Sequence, residues 1–306
     1  MRKTARSFNG GIFLKKRRII LGVFCAVAAV ALFFFLKVTF SGELIVDPII
    51  VTIGPFSVRW YGVLIATGIV LAYILGRNFA LKEGIKEDYL VEMVFWGIIA
   101  GIIGARLYYV AFNFDYYRDN PIEIFKIWNG GLAIHGAFFG GLFAGFLYTR
   151  LKKSAGIRFF QASDIFTAVL PLAQAIGRWG NFMNHEAYGA PTDLPWKMFV
   201  PRGYRVPGYT QYKYFHPTFL YESLWDIFVF IVLFNYMKKR KRYGEVTGLY
   251  MILYSMGRFV IEGLRLDSLY VGELRTAKLV SVILMIVGLI IFFHARYRGE
   301  EVRRVS

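Results

Sequence analysis

Cysteine is almost missing from this chain of 306 residues; the one present, Cys25, sits in an apolar run. A single thiol excludes an intramolecular disulfide and a cysteine-built metal site, so any thiol chemistry must use a thiol brought by a substrate. Acidic residues are scarce too, 20 against 37 lysines and arginines, and there are only four histidines. Several catalytic signatures are also lacking. No GxxxxGK[ST] phosphate loop, HExxH helix, GxSxG elbow or D-x-x-D-G-x-x-A-R acidic motif occurs. Their absence sets aside nucleotide-driven chemistry, zinc proteolysis, serine hydrolysis and metal-assisted transfer of phosphatidyl alcohols. No metal and no cofactor are expected.

Apolar residues dominate what remains. They make up 57% of the chain, aromatics 18%, and the mean hydropathy is +0.47, far above a soluble domain of this length. Runs of the roughly 17 to 25 residues needed to cross a bilayer fall at 19–40, 60–80, 89–112, 131–150, 160–177, 218–237, 246–263 and 277–296. The expected fold class is therefore an all-α polytopic membrane protein. A net charge of +17 could suit nucleic acid, but the basic residues form short clusters between apolar runs rather than a polar face. The membrane is the expected partner, and no nucleic acid is.

Alternate connectors, "RKTARSFNGGIFLKKRR", "RNFALKEGIKED", "RLKKSAGIR", "KKRKRYGE" and "RYRGEEVRR", hold 23 of the 37 basic residues. That bias marks them as cytoplasmic, with both termini inside. Connectors 41–59, 113–130, 178–217 and 264–276 then face outward, and 181–217, rich in Pro, Gly and Tyr, reads as a small folded outer subdomain. The first run is long for a cleaved signal and no small-x-small site follows it in "KVTFSGELI", so it reads as a signal anchor.

Four polar groups sit in or beside the spans. In "YSMGRFVIEGLR", Tyr254, Arg258, Glu262 and Arg265 recur every three or four residues along one helical face. An Arg258–Glu262 pair would lock helices together, yet Arg265 leaves an extra positive charge beside it. In "NGGLAIHGAFFGGLFAG", His135 is either an interhelical hydrogen bonder or, at the outer end of its span, a general base. "GRWGNFMNHEAYG" (177–189) gathers Arg178, Asn181, Asn184, Glu186 and Gly189, as a polar helix end and turn or as part of a site. Finally, "RWYG", "GARLYY" and "HPTFLYE" place Arg59, Tyr61, Arg106 and other aromatics at span ends, where interfacial anchoring explains them as readily as function.

These groups suit an anion better than a metal. Arg178 and Arg258, each beside asparagine or tyrosine donors, offer fork-shaped charge-assisted hydrogen bonds to a phosphate. In a membrane the phosphate at hand is a lipid headgroup, and if it also leaves, the same arginines stabilise charge developing in the transition state. A lipid transporter or flippase would line a path with such arginines; clustering at one membrane edge and the lack of an internal repeat speak against it. A non-catalytic scaffold would leave the clustered arginines unexplained.

"GRWGNFMNHEAYG" resembles the G-R-x-G-N-F-x-N-x-E-x-x-G signature of the bacterial prolipoprotein diacylglyceryl transferases. Further matches follow in order: "RWYG" (59–62), "GARLYYV" (104–110), "WNGGLAIHGAFFGG" (128–141), "SDIFTAVLPLAQAIGRWGN" (163–181), "HPTFLYE" (216–222) and "YSMGRFVIEGLR" (254–265), covering about 48–297. The resemblance implies transfer of the diacylglyceryl group of phosphatidylglycerol to the lipobox cysteine of a prolipoprotein, releasing glycerol phosphate. It implies that Arg178 and Arg258 hold the lipid phosphate, that His135 takes the thiol proton directly or through a neighbour, and that Tyr61, Asn181, Glu186 and Gly189 shape the site. Tyr254, Glu262 and Arg265 join the expected substrate-binding set. His185 falls on a variable position and is expected not to be catalytic.

Members of the family commonly have seven spans and an outer amino end. This chain is expected to add a basic tail and extra helix (1–40) before a membrane body (41–297) and a basic tail (298–306). It is expected to work as a monomer in the bacterial cytoplasmic membrane, with its site near the extracytoplasmic face.

Overall fold

The computed structural model describes residues 22–23, 26–54, 56–268 and 270–304, and for residues 129, 134, 135 and 271 the backbone alone. The basic stretch before residue 22, Cys25 and the last two residues lie outside the described residues. The helices are α1 (Ala26–Ser41), α2 (Trp60–Lys82), α3 (Glu87–Phe112), the short α4 (Phe114–Asp119), α5 (Ile134–Leu151), α6 (Phe159–Met183), α7 (Thr218–Met237), α8 (Glu245–Glu262) and α9 (Thr276–Arg298). Three small antiparallel hairpins pair β1 (Ile49–Ile53) with β2 (Phe56–Arg59), β3 (Met198–Phe199) with β4 (Tyr214–Phe215), and β5 (Tyr270–Val271) with β6 (Leu274–Arg275).

The helices follow the apolar runs because backbone groups in hydrocarbon must be satisfied within their own segment. Among the described residues, α2, α3, α6, α7 and α9 are long and apolar enough to cross a membrane. The 18-residue α8 is less apolar because it carries Glu245, Arg258 and Glu262. The chain is an all-α polytopic membrane protein.

Three boundaries differ from the sequence reading. The sixth helix does not stop where its apolar run does, at 177; α6 continues to Met183, so Arg178 and Asn181 are helical. Helix α8 ends at Glu262, so Arg265 lies beyond the face it was expected to share. The connector 41–59 contains a hairpin, with Ile49 opposite Arg59 and Ile53 opposite Phe56. Its β-branched "IIVTI" run and Gly54, at φ 58°, supply the strand preference and the turn.

The chain divides into two compact units, Pro48–Tyr188 with Thr218–Ser306, and Met1–Asp47 with Gly189–Pro217. In the larger, α6 is central: 50% of its span is buried, against 11% for α9. Because lipid tails are as apolar as leucine, helices associate there through close packing and hydrogen bonds. Small residues permit the approach. A Cβ on Gly136 would strike the Gly104 carbonyl of α3, one on Gly140 the Ala100 carbonyl, and one on Gly68 would come within 3.0 Å of Ala173 Cα on α6.

One end of this unit is tied by Asp164 of α6, which has no exposed surface. Its carboxylate accepts the backbone N–H groups of Gly244 and Thr247, both at 2.8 Å, and the Thr247 hydroxyl at 2.7 Å. It therefore caps the first turn of α8 from a neighbouring helix. Arg240 pairs with both Asp164 and Glu83, closing the network. Arg178 lies fourteen residues further along α6, roughly 21 Å at helical rise.

In the smaller unit Phe215, Val200 and Met198 form the buried centre. Gly42, at φ 89°, follows α1 and lies under the Phe199 ring, where an added Cβ would come within 2.7 Å. The segment Gly189–Pro217 closes on itself: Gly189 N–H donates to the His216 carbonyl at 2.9 Å and His216 N–H to Ala190 at 3.0 Å.

Candidate functional site

Helix α7 carries two carboxylates one turn apart, Glu222 and Asp226, 5% and 2% exposed in an otherwise apolar helix. Ions so buried need partners. Glu222 finds three. Arg178 Nη2 of α6 lies 2.6 Å from its Oε2, Arg258 Nη1 of α8 lies 2.7 Å from Oε1, and Arg265 Nη1 lies 3.4 Å from Oε1. Arg258 also pairs with Glu262 at 2.6 Å, and Arg265 grips Asp267 through two bonds of 2.9 and 2.7 Å. The charge of Arg265, expected to stand spare, is thus shared between Glu222 and Asp267. The three arginines remain only 12–19% exposed.

Packing holds this arrangement. Trp179 donates its indole N–H to Ser223 at 3.2 Å, and Ser223 donates to the Ala175 carbonyl at 2.9 Å, fixing α7 against α6 one residue from Glu222. Phe182 stacks on Phe219 with centroids 4.6 Å apart. Gly257 leaves room for the Trp225 ring, whose N–H reaches the Leu253 carbonyl at 2.9 Å. Tyr254 stacks on Tyr250 at 5.6 Å. A gap of about 10 Å³, the size of one water, is lined by Glu222, Trp225, Asp226, Tyr254, Gly257, Arg258 and Ile261. Asp226 Oδ2 has no hydrogen-bond partner among the described residues.

Beyond Arg178, the end of α6 turns back on itself. Glu186 N–H donates to the Asn181 carbonyl at 3.0 Å, and the Asn181 and Asn184 amides donate to Glu186 Oε1 at 2.9 and 3.3 Å. Arg178 reaches Asn181 Oδ1 at 3.5 Å. This return requires left-handed backbone on both sides of Glu186, φ 55° at His185 and 58° at Ala187, at a cost of about 1–2 kcal/mol each for residues with a Cβ. The Tyr61 ring packs where a side chain on Gly180 would otherwise sit, within electrostatic reach of Arg178 and Glu186.

Of the residues expected from sequence, Arg178, Tyr254, Arg258, Glu262 and Arg265 come together around Glu222, with Tyr61, Asn181 and Glu186 adjoining Arg178. Gly189 belongs to the smaller unit. His135 is the second residue of α5; its side chain lies outside the described residues. Arg106, buried, donates to the carbonyls of Glu123, Ile124, Gly130 and Gly131. It therefore fastens the segment leading into α5. Glu222 and Asp226 were missed, although two carboxylates four residues apart in an apolar run are a signal in themselves.

The sequence pattern of the family described as prolipoprotein diacylglyceryl transferase matches residues 48–294. A phosphatidylglycerol–prolipoprotein diacylglyceryl transferase of Fervidobacterium nodosum is 57% identical over 276 residues, 90% of this chain and 94% of the relative. Proteins of the same name from Thermotoga petrophila and Staphylococcus haemolyticus are 55% and 45% identical, covering 90% and 83% of this chain and 93% and 90% of their own. With a buried arginine cluster held by α6, α7 and α8 of a polytopic membrane protein, and that likeness along most of its length, the chain belongs to the prolipoprotein diacylglyceryl transferase family.

Proposed function

We propose that the chain transfers the diacylglyceryl group of phosphatidylglycerol to the lipobox cysteine thiol of prolipoproteins, the first step of lipoprotein maturation. The observation that carries this reading is the convergence of Arg178, Arg258 and Arg265 on one buried carboxylate inside a membrane body. Forked cations so placed match a lipid phosphate. The sulfur attacks the phosphate-bearing carbon of the diacylglyceryl unit; a C–S bond forms, that carbon's C–O bond breaks, and its electron pair leaves on the phosphate oxygen of glycerol phosphate.

Arg178 and Arg258 hold the phosphate and offset the charge that grows on it. The thiol, with an ordinary pKa of about 8.5, loses its proton to His135 directly or through a neighbour. Tyr61, Asn181, Glu186 and Gly189 shape the substrate space, and Tyr254, Glu262 and Arg265 complete the binding set. The bias of basic connectors supports a cytoplasmic membrane protein with both termini inside, residues 1–40 as a tail and anchor helix, and a site near the extracytoplasmic face. It acts as a monomer on a substrate that supplies the thiol.

Incubating the purified protein with phosphatidylglycerol and a lipobox peptide tests this reading. A peptide mass gain of one diacylglyceryl group is expected; no gain, beside an active relative, overturns it.

A further inference from the structure

Arginines that are to receive a substrate phosphate are here already occupied. Arg178, Arg258 and Arg265 come from α6, α8 and the turn after α8, and the anion they share is Glu222, at 2.6, 2.7 and 3.4 Å. Arg258 and Arg265 each keep a second carboxylate in direct contact, Glu262 and Asp267, whereas Arg178 reaches the neutral Asn181 amide at 3.5 Å and has Asp226 within electrostatic reach. The two Glu222 oxygens divide the work, Oε2 toward Arg178 and Oε1 toward Arg258 and Arg265. One small anion met by a guanidinium nitrogen from each of three directions is the arrangement a phosphate would take.

We propose that Glu222 is the resident anion of the phosphate site, holding the three guanidiniums together while it is empty and yielding Arg178 to the lipid phosphate when it fills. This rests on the assignment of Arg178 and Arg258 to that phosphate. Three like charges this close, screened from water, repel strongly unless an anion lies between them. With Glu222 present the guanidiniums are already desolvated and aimed, so the incoming phosphate exchanges for a contact instead of organising a site. The same competition favours release: glycerol phosphate leaves as a phosphomonoester, more highly charged than the lipid diester, and a resident carboxylate displaces it. Glu222 is thus a positioning residue, acting through the arginines.

Sulfate, whose charge is constant across neutral pH, is the probe. Its binding to the full-length protein is measured calorimetrically, so the readout does not depend on turnover, alongside KM and kcat for phosphatidylglycerol. Glu222→Gln keeps the shape and removes the charge, and it is expected to bind sulfate roughly tenfold more tightly, with KM and kcat both lowered because lipid and product are both held. Glu222→Asp keeps the charge but is one methylene too short to reach all three guanidiniums, and is expected to fall between. Sulfate binding no tighter than wild type in the Gln variant, or in the Asp variant should the Gln variant fail to fold, overturns the proposal. Tighter sulfate binding in a protein whose wild type transfers nothing would leave the resident-anion role standing and remove the transferase reading instead.

Discussion

Arg258 divides its guanidinium between two carboxylates, Nη1 to Glu222 and Nη2 to Glu262. Lysine carries the charge but no fork. Arg258→Lys should therefore lower transfer by about 10²-fold or more, the scale of losing one donor to developing charge, while the protein still inserts; near-normal kcat/KM in the peptide assay would take Arg258 out of the phosphate site. Ala187 makes a different point. It holds φ 58° beside Glu186, so Ala187→Gly should stabilise the fold by about 1 kcal/mol, read from the unfolding midpoint in detergent, and a lower midpoint would refute the strain. Arg178 and Arg258 were legible in the sequence because charges in apolar runs are rare enough to be noticed. Glu222 was not, because "HPTFLYE" passes for interfacial anchoring until α6, α7 and α8 are seen to meet.

Helices α3 and α5 approach through glycine, and the sequence spacing marks which glycines matter only once the partner is known. Gly140 faces the Ala100 carbonyl, whereas Gly145, on the same helix, meets nothing within 4 Å. Gly140→Val should destabilise by about 1–3 kcal/mol through overpacking, and Gly145→Ala should cost nothing or stabilise slightly; equal effects in a detergent unfolding series would deny the close packing. Five of the eight expected spans, those now seen as α2, α3, α6, α7 and α9, were legible because hydropathy reports what lipid accepts. Their ends were less so. Arg178 and Asn181 end an apolar run without ending α6, because Glu222 and Glu186 satisfy them where hydropathy anticipates water. The β1–β2 hairpin is hidden for the converse reason: the five apolar or β-branched residues of β1 are too few for a span and read as connector.

At the scale of the molecule, one buried acid holds several elements. Asp164 joins α6 to the start of α8 and, through Arg240, to Glu83 at the end of α2. Asp164→Ala would leave Arg240 buried beside one carboxylate instead of two and the first turn of α8 uncapped, a loss of about 3–5 kcal/mol, seen as a lower melting temperature and faster proteolysis at 240–247. Unchanged stability would show the network to be dispensable. The smaller unit responds to pH instead. Burial depresses His216 below its ordinary 6.5, so the unfolded chain takes up the proton first. The stabilisation is complete above about 6.5 and is lost as pH falls through the folded value. The protection factor of the Val200 N–H, bonded to Lys213, should fall over that range once the intrinsic pH dependence of amide exchange is divided out; an unchanged protection factor would exclude His216 as the cause.

The pinch at Gly189 and His216, where the entering and leaving backbone hydrogen-bond to one another at 2.9 and 3.0 Å, makes the intervening segment a cassette. Its two junctions are neighbours, so the segment can be exchanged between relatives together with the 1–47 stretch of its own unit while its two ends stay joined. Chimaeras cut there let one relative's insert be tested on another's membrane body.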